Sequence, residues 1–247
     1  MNEQLLLENI RGVLMRLEET IVFAAIERAQ FRQNLKIYEP AVFGAFLEGE
    51  SLTGYLLRET ERAHARLRRY TSPDEHPFFR GLPEPLLPAM RFDENPLVPN
   101  TVNLNAELRR AYEREMVPYF CAPGDDGQYG SSAMDDVAVL QALSRRIHYG
   151  KFVAESKFRA HPDDFRPAMA ACDAAKLLFL ITVPEVEERV LKRVALKAET
   201  YGRDPEGRAG QDKIDPEHVV ELFRRWLMPL TKKAEVDYLL QRGPAIA

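Results

Sequence analysis

Cysteine and tryptophan are scarce in this chain, and long apolar runs are missing. The two cysteines among 247 residues, Cys121 and Cys172, are isolated in sequence and fit neither a CxxC redox pair nor a zinc pattern. The five histidines lack ligand spacing. The expectation is reduced thiols and no metal. No stretch approaches the roughly 18 consecutive apolar residues of a membrane span. The opening MNEQLLLENIRG is acidic, and its apolar part is too short for a secretory signal. A cytoplasmic protein without a membrane partner follows as an expectation. A basic excess is absent as well: 34 Lys and Arg against 38 Asp and Glu leave a formal charge of −4. That balance speaks against a general nucleic-acid binder, whose phosphate contacts demand a basic surface.

Strand signals are also wanting. Leu, Ala, Glu and Arg are plentiful, whereas alternating Val/Ile/Thr runs bounded by turns do not occur. With 45% hydrophobic residues the chain can bury a substantial core, so the reading is all-α, a single large helical domain over residues 1–247.

Taken in order, the first helix is expected from about Glu3 to Ala29, with Ile10, Val13, Leu14, Leu17, Ile21 and Ala24 or Ala25 as its buried stripe. Arg11 borders that stripe and reads by pattern as a snorkelling surface residue. A second helix is expected from Ser51 to Tyr70, with Leu52, Tyr55, Leu56, Ala63 and Leu67 facing inward and Arg68 and Arg69 near its end. From Ser72 to Asn100 seven prolines forbid a long helix, yet Phe78, Phe79, Leu86, Leu87 and Met90 are too apolar for a free linker. An ordered loop packed over helices fits both facts.

A helix from about Asn105 to Phe120 leads into the turn-rich APGDDGQYGS. Farther on, Thr182-Val-Pro-Glu185 is a helix-start signal, with the helix continuing to Tyr201 and stopped by Gly202. Glu187 there reads as a first-turn carboxylate favoured by the helix dipole. Asp215-Pro216-Glu217 forms an N-cap, first position and first turn. The helix it opens reaches Leu227, Pro229 is expected to break or kink it, and a last helix runs to about Gln241. Thr231 and Glu235, four apart, share a face of that last helix.

The most informative stretch is Ser131 to Phe158, where Val137, Leu140, Ile147 and Val153 recur at helical spacing. Ser131 or Ser132 can cap it, and Asp135 and Asp136 then lie near the positive end of its dipole. Arg146 and Lys157 are eleven residues apart, which returns to within roughly 20° of one direction, about 16 Å along the axis. They are either a solvated charged edge or an anion site between helices. Gly150, one turn after Arg146, costs on the order of 1 kcal/mol against Ala within a helix. Close approach of another helix or a ligand would explain it.

The residues Arg145 to Phe158, RRIHYGKFVAESKF, closely resemble the core motif of the all-helical, eukaryotic-type chorismate mutases. The resemblance extends in family order to ENIRGVLMRLEETIVFAAIERAQF (Glu8 to Phe31), RLRRYTSPDEHPFF (Arg66 to Phe79), DDGQYGS (Asp125 to Ser131) and MPLTKKAEVDYLLQR (Met228 to Arg242). It implies the rearrangement of chorismate to prephenate, one C–O bond breaking as a C–C bond forms in one molecule, with no covalent intermediate and no cofactor. The protein's task is to hold a flexible dianion in its compact conformer and to stabilise charge developing on the ether oxygen.

Carried over by motif, Arg11 and Arg146 would hold the two carboxylates, for which the guanidinium fork is suited. Lys157 and a protonated Glu235 would donate to the ether oxygen, Glu187 would accept from the hydroxyl, and Thr231 would lie near a carboxylate. Val183 stands where fungal relatives carry Asn, and Glu235 follows the fungal version where plant relatives carry Gln. The alternative is a helical aromatic-amino-acid sensor of the same ancestry without turnover, but such a sensor has no physical need for this whole constellation.

The resemblance further implies a homodimer with one active site in each subunit. Arg68 and Arg69 of one copy would meet Gly130 and Ser131 of the other in a site for Trp as activator or Tyr as inhibitor. Read alone, Arg68 and Arg69 merely neutralise a helix C-terminus. Met134 replaces a Thr and Gln128 an Asn of the fungal pattern, so the response to Trp should exceed that to Tyr.

Overall fold

The computed structural model describes residues 7–88, 95–203 and 213–243, and every regular element among them is helical. Helix α1 (Leu7–Ala29) buries Ile10, Leu17, Ile21, Val22, Ala25 and Ile26, close to the expected stripe, with residues 3–6 outside the described set. Its last turn carries Arg28, which is fully buried.

Helix α2 (Leu52–Arg66) begins as its sequence suggests, with the Ser51 hydroxyl accepting from the Gly54 amide at 3.1 Å. Its inner face corrects the expectation. Thr53, Leu57, Glu61 and Ala65 are buried, whereas Ala63 is exposed and Leu67 is 59% exposed. Two of those four are polar, and each has a specific partner. Thr53 donates to Asp136, and both Glu61 oxygens accept backbone amides, from Phe78 at 2.8 Å and Phe79 at 3.0 Å. The helix stops short of the arginine pair because Arg68 adopts a left-handed conformation, φ 60°, before a 3₁₀ turn at Arg69–Thr71.

The proline-rich segment is ordered where described and clamped from below. Arg145 pairs with Asp74 at 2.8 Å, Arg69 with Glu75 at 3.0 Å, and Asn105 donates to the His76 carbonyl. Leu86 and Leu87 remain exposed, and Met90 lies outside the described residues.

Helix α3 (Asn105–Ala111) passes through a π turn, Tyr112–Met116, into α4 (Val117–Phe120). The same device recurs near the C-terminus. Helix α10 (Pro216–Glu221), capped by the Asp215 side chain, runs through a π turn at Leu222–Leu227 into α11 (Met228–Arg242). Each π turn ends two residues before a proline, Pro118 or Pro229. A proline lacks the amide that an α turn uses and crowds the carbonyl four residues back; widening the preceding turn relieves both. Of the break or kink expected at Pro229, the break does not occur: the chain stays helical from the π turn into α11.

The informative stretch becomes α5 (Tyr129–His148) and α6 (Gly150–Ala160), joined by one tightened turn at Tyr149, whose carbonyl accepts from Phe152. No serine caps α5: it starts at Tyr129 after Gln128, Ser132 instead accepts from Asn34, and Asp136 is fully buried rather than facing a helix end. Helices α7 (Pro162–Ala170) and α8 (Ala174–Ile181) turn the chain back. Helix α9 (Pro184–Gly202) follows, without a Thr182 cap because that hydroxyl donates to the Leu178 carbonyl.

One hydrophobic cluster runs from Ile10 of α1 to Leu239 of α11. Helix α5 packs along α1, and α11 packs chiefly on α6, α8 and α5. Among the described residues no helix is long and apolar enough to cross a membrane, and no His/Cys/Asp/Glu group is arranged to hold a metal.

Candidate active site

The site is assembled by a close helix crossing. A Cβ on Gly150 would lie 2.9 Å from Thr231 Cγ2, 3.1 Å from Glu235 Cγ and 3.2 Å from the Thr231 carbonyl oxygen. The missing side chain is therefore what lets α11 press Thr231 and Glu235 against the start of α6. Of the two explanations open for Gly150, a neighbouring helix is the one realised.

Arg146, one turn before Gly150, is 9% exposed, and its Nε and Nη1 are buried with no hydrogen-bond partner among the described residues. Burial pulls its guanidinium below the usual range, opposed by the charges of Glu18 and Glu235 and reinforced by Arg193. A guanidinium held this way is desolvated but not neutralised by contact, which suits it to an incoming carboxylate.

Lys157 lies farther along α6, its ammonium donating to the Ile181 carbonyl at the end of α8 and standing 3.7 Å from Glu235 Oε2. That separation is too long for a hydrogen bond. Glu235 Oε2 is itself buried with no hydrogen-bond partner among the described residues. Burial pushes the Glu235 carboxyl up to about 7, against the opposing pull of Lys157, Arg146 and Lys232. Below that pH it carries a proton and donates; above it, it can only accept. Thr231, also buried, donates to the Leu227 carbonyl at 2.7 Å, which leaves its oxygen able to accept.

Glu187, half-exposed in the first turn of α9, takes the Lys232 ammonium on both oxygens, at 3.0 and 3.3 Å. Arg146, Lys157, Thr231 and Glu235 thus converge from α5, α6 and α11, with Glu187 reached from α11 through Lys232. Arg11 does not join them: it is exposed on α1 and makes no hydrogen bond or ion pair with a described residue.

Two residues behind Arg146 escaped the sequence reading. Glu18, 1% exposed, accepts from Arg193 Nε at 2.8 Å and Nη2 at 2.7 Å, one on each oxygen, with Lys197 at 3.9 Å. A signal existed: Glu18 directly follows Leu17 and stands three residues before Ile21 within the apolar stripe of α1, where an unpaired carboxylate would be costly.

The residues singled out for an effector lie on the surface. Arg69 contacts Glu75, His64 and Gln141, while the Arg68 guanidinium reaches the Pro88 carbonyl. Gln128, Gly130 and Met134 are exposed and Ser131 is half-buried, around the first turns of α5. Gln141 is ten residues beyond Ser131, about 15 Å along the helix. Within one chain the arginine pair and the Gly130-Ser131 turn are therefore apart.

A family model described as chorismate mutase type II matches residues 129–236, from the first residue of α5 into α11. The chorismate mutase of Schizosaccharomyces pombe is 46% identical over 246 residues, covering 98% of each chain. Among solved structures, AtCM1 with tyrosine bound in its allosteric site superposes with a TM-score of 0.88 at 42% identity, covering 98% of each chain. Aro7p chorismate mutase from Candida albicans, in complex with L-Trp, gives 0.87 at 40% identity, covering 96% of this chain and 92% of that one. With identity at this level over almost the whole length, the chain belongs to the all-helical type II chorismate mutase family of plants and fungi.

Proposed function

We propose that this member of the family rearranges chorismate to prephenate in the pocket between α5, α6, α9 and α11. The observation that carries the reading is the pair of buried, incompletely hydrogen-bonded groups facing one another there, the Arg146 guanidinium and the Glu235 carboxyl. Arg146 clamps one substrate carboxylate with its fork, and Thr231 lies beside it. Lys157 and the protonated Glu235 donate to the ether oxygen from two sides as negative charge gathers there. Glu187 accepts from the substrate hydroxyl. Arg11 serves the second carboxylate from α1, its exposed position calling for a local adjustment of that helix when substrate binds. No bond to the protein forms; the catalytic work is preorganised charge and a restricted conformer.

Regulation is part of the proposal. In a homodimer, Arg68 and Arg69 of one copy face Gln128, Gly130, Ser131 and Met134 of the other, and the site takes tryptophan or tyrosine. The separation of these two groups within one chain supports a site shared between copies. Since α5 carries the turn at one end and Arg146 at the other, an effector favouring one quaternary arrangement acts on the catalytic cation along a single helix. Met134 offers no hydroxyl to a phenol, so tryptophan has the larger effect.

The test is direct. Chorismate consumption and prephenate formation are followed together, at pH 6 and at subsaturating chorismate, with and without saturating Trp or Tyr. Stoichiometric conversion, faster with Trp, is expected. Failure to form prephenate from chorismate overturns the activity, and equal rates with and without Trp overturn the activation.

A further inference from the structure

Lys232 carries no role in the scheme above, yet its contacts are unlike those of its neighbour. Lys233 pairs with Asp237, four residues on along its own helix, at 2.8 Å, on the exposed side of α11. Lys232 has Val236 at that spacing and instead reaches across to α9, placing its ammonium between both Glu187 oxygens at 3.0 and 3.3 Å. Helix α11 packs chiefly on α6, α8 and α5, so this ion pair reaches out of the packed seam rather than lying within it. Both side chains are about a quarter to a third exposed, 26% and 32%, and an ion pair that open contributes little to stability. Its position says more: Lys232 directly follows Thr231 and stands one turn before Glu235.

We propose that Lys232 is a positioning residue, a clasp from α11 that holds the Glu187 carboxylate aimed at the substrate hydroxyl; this rests on the chorismate mutase reading of the pocket. A free glutamate in the first turn of a helix samples several rotamers, most of them directed to water. The clasp selects one, because a carboxylate that shares an ammonium through both oxygens has its plane and direction fixed, and it keeps lone pairs able to accept from a hydroxyl. The other charged groups of the pocket do not replace it. Lys157 on α6 is engaged by Ile181 and Glu235, Arg193 on α9 by Glu18 of α1, and Arg146 on α5 faces Glu18 and Glu235. Lys232 also exerts a charge effect one turn along its own helix, being among the cations that oppose the rise of the Glu235 carboxyl toward 7.

The decisive experiment is a double-mutant cycle on kcat and KM for chorismate, using Lys232→Met, Glu187→Gln and the double variant, with Lys232→Arg as the conservative control and circular dichroism to verify folding. If the ammonium works through Glu187, Lys232→Met lowers kcat/KM about tenfold in the wild-type background and less than about twofold once Glu187 is Gln. Lys232→Arg, which keeps the charge and the reach, stays within about threefold of wild type. Equal losses in both backgrounds, or no loss at all, overturn the clasp while wild-type turnover leaves the functional reading standing. A wild-type chain that fails to convert chorismate strikes the functional reading instead. A second readout stands independently of turnover: in the free protein, the Glu235 carboxyl, followed by 13C NMR, titrates at higher pH in Lys232→Met than in wild type. An unchanged midpoint overturns the placement of the Lys232 charge beside the pocket.

Discussion

Two buried charges lie ten residues apart on α5, Asp136 and Arg146, and the protein completes one and leaves the other open. Asp136 receives Arg28 Nε at 2.6 Å, the Tyr112 hydroxyl at 2.7 Å, the Tyr38 hydroxyl at 2.8 Å and the Thr53 hydroxyl at 3.2 Å. Its partner Arg28 spends its remaining donors on the carbonyls of Phe31, Arg32 and Gln33, on the Cys121 sulfur and on the Tyr38 hydroxyl. Arg146 has two buried nitrogens without an acceptor among the described residues. The Asp136 hub joins α1, α2, the π turn after α3 and α5, and it resembles the second saturated cluster, where Glu155 accepts from Tyr238, Arg159 and Arg242. A buried ion with every lone pair and proton engaged fixes the scaffold; one with donors unspent is open to a ligand, the role proposed for Arg146.

The first way to break that comparison is to remove a completed partner. Asp136→Ala strands the Arg28 guanidinium in the interior and should cost about 3–5 kcal/mol of folding stability. Urea unfolding of the variant measures this, and molecules that remain folded should keep near-normal kcat. A loss much below 2 kcal/mol would mean that the hub is not a structural keystone.

The second reverses the pattern. Arg146→Ala should reduce kcat/KM at least about thirtyfold, corresponding to a lost charge-assisted contact of roughly 2–5 kcal/mol. Because no protein hydrogen bond at Nε or Nη1 is lost, its urea midpoint should change little or rise. Near-normal turnover in the folded variant would remove Arg146 from the site.

A third, smaller effect concerns how the open cluster is held. Gly150→Ala places a methyl group 2.9 Å from Thr231 Cγ2. Overpacking of about 1–3 kcal/mol, offset by about 1 kcal/mol of helix propensity, predicts a mild loss of stability. The larger consequence should be a fall in kcat as Thr231 and Glu235 are pushed off α6. Wild-type kcat with lowered stability would show that the crossing matters to the fold alone.

What the chain's one-dimensional pattern reveals follows from the range of the forces involved. The stripe of α1, the Asp215-Pro216 start, the shared face of Thr231 and Glu235 and the need for closeness at Gly150 depend on neighbours within a turn or two, and they are legible. The inward face of α2 is not, because Thr53 and Glu61 are buried for polar partners on other segments, Asp136 and the Phe78 and Phe79 amides. The serines at the start of α5 misled for the same reason, Ser132 serving Asn34 rather than the helix end. Pairs such as Arg28 with Asp136 and Glu18 with Arg193 join residues 108 and 175 positions apart, beyond any local periodicity. The motif names Arg146, Lys157, Thr231 and Glu235, which the fold brings into one cluster, while the exposure of Arg11 depends on how α1 lies at its start, which a motif does not specify.

The pocket's distinguishing property is a carboxyl that burial raises to a pKa of about 7, and the smallest perturbation tests it most directly. In the proposed mechanism the sign is fixed by chemistry: below its pKa of about 7 Glu235 can donate a hydrogen bond, and above it the carboxylate would oppose the charge developing on the ether oxygen. The kcat/KM of the wild type, which reports the free enzyme, should therefore fall as pH rises through about 7. The kcat limb should lie higher, because a bound dianion disfavours ionisation further. Glu235→Gln, which donates without titrating, should retain activity and lose most of the alkaline decline, whereas Glu235→Ala should be severely impaired at every pH. Rate profiles of the wild type and the Gln variant from pH 4.5 to 9, with folding monitored throughout, make the measurement. A flat profile for Gln beside a falling one for the wild type is the predicted result; the same decline in both would contradict it.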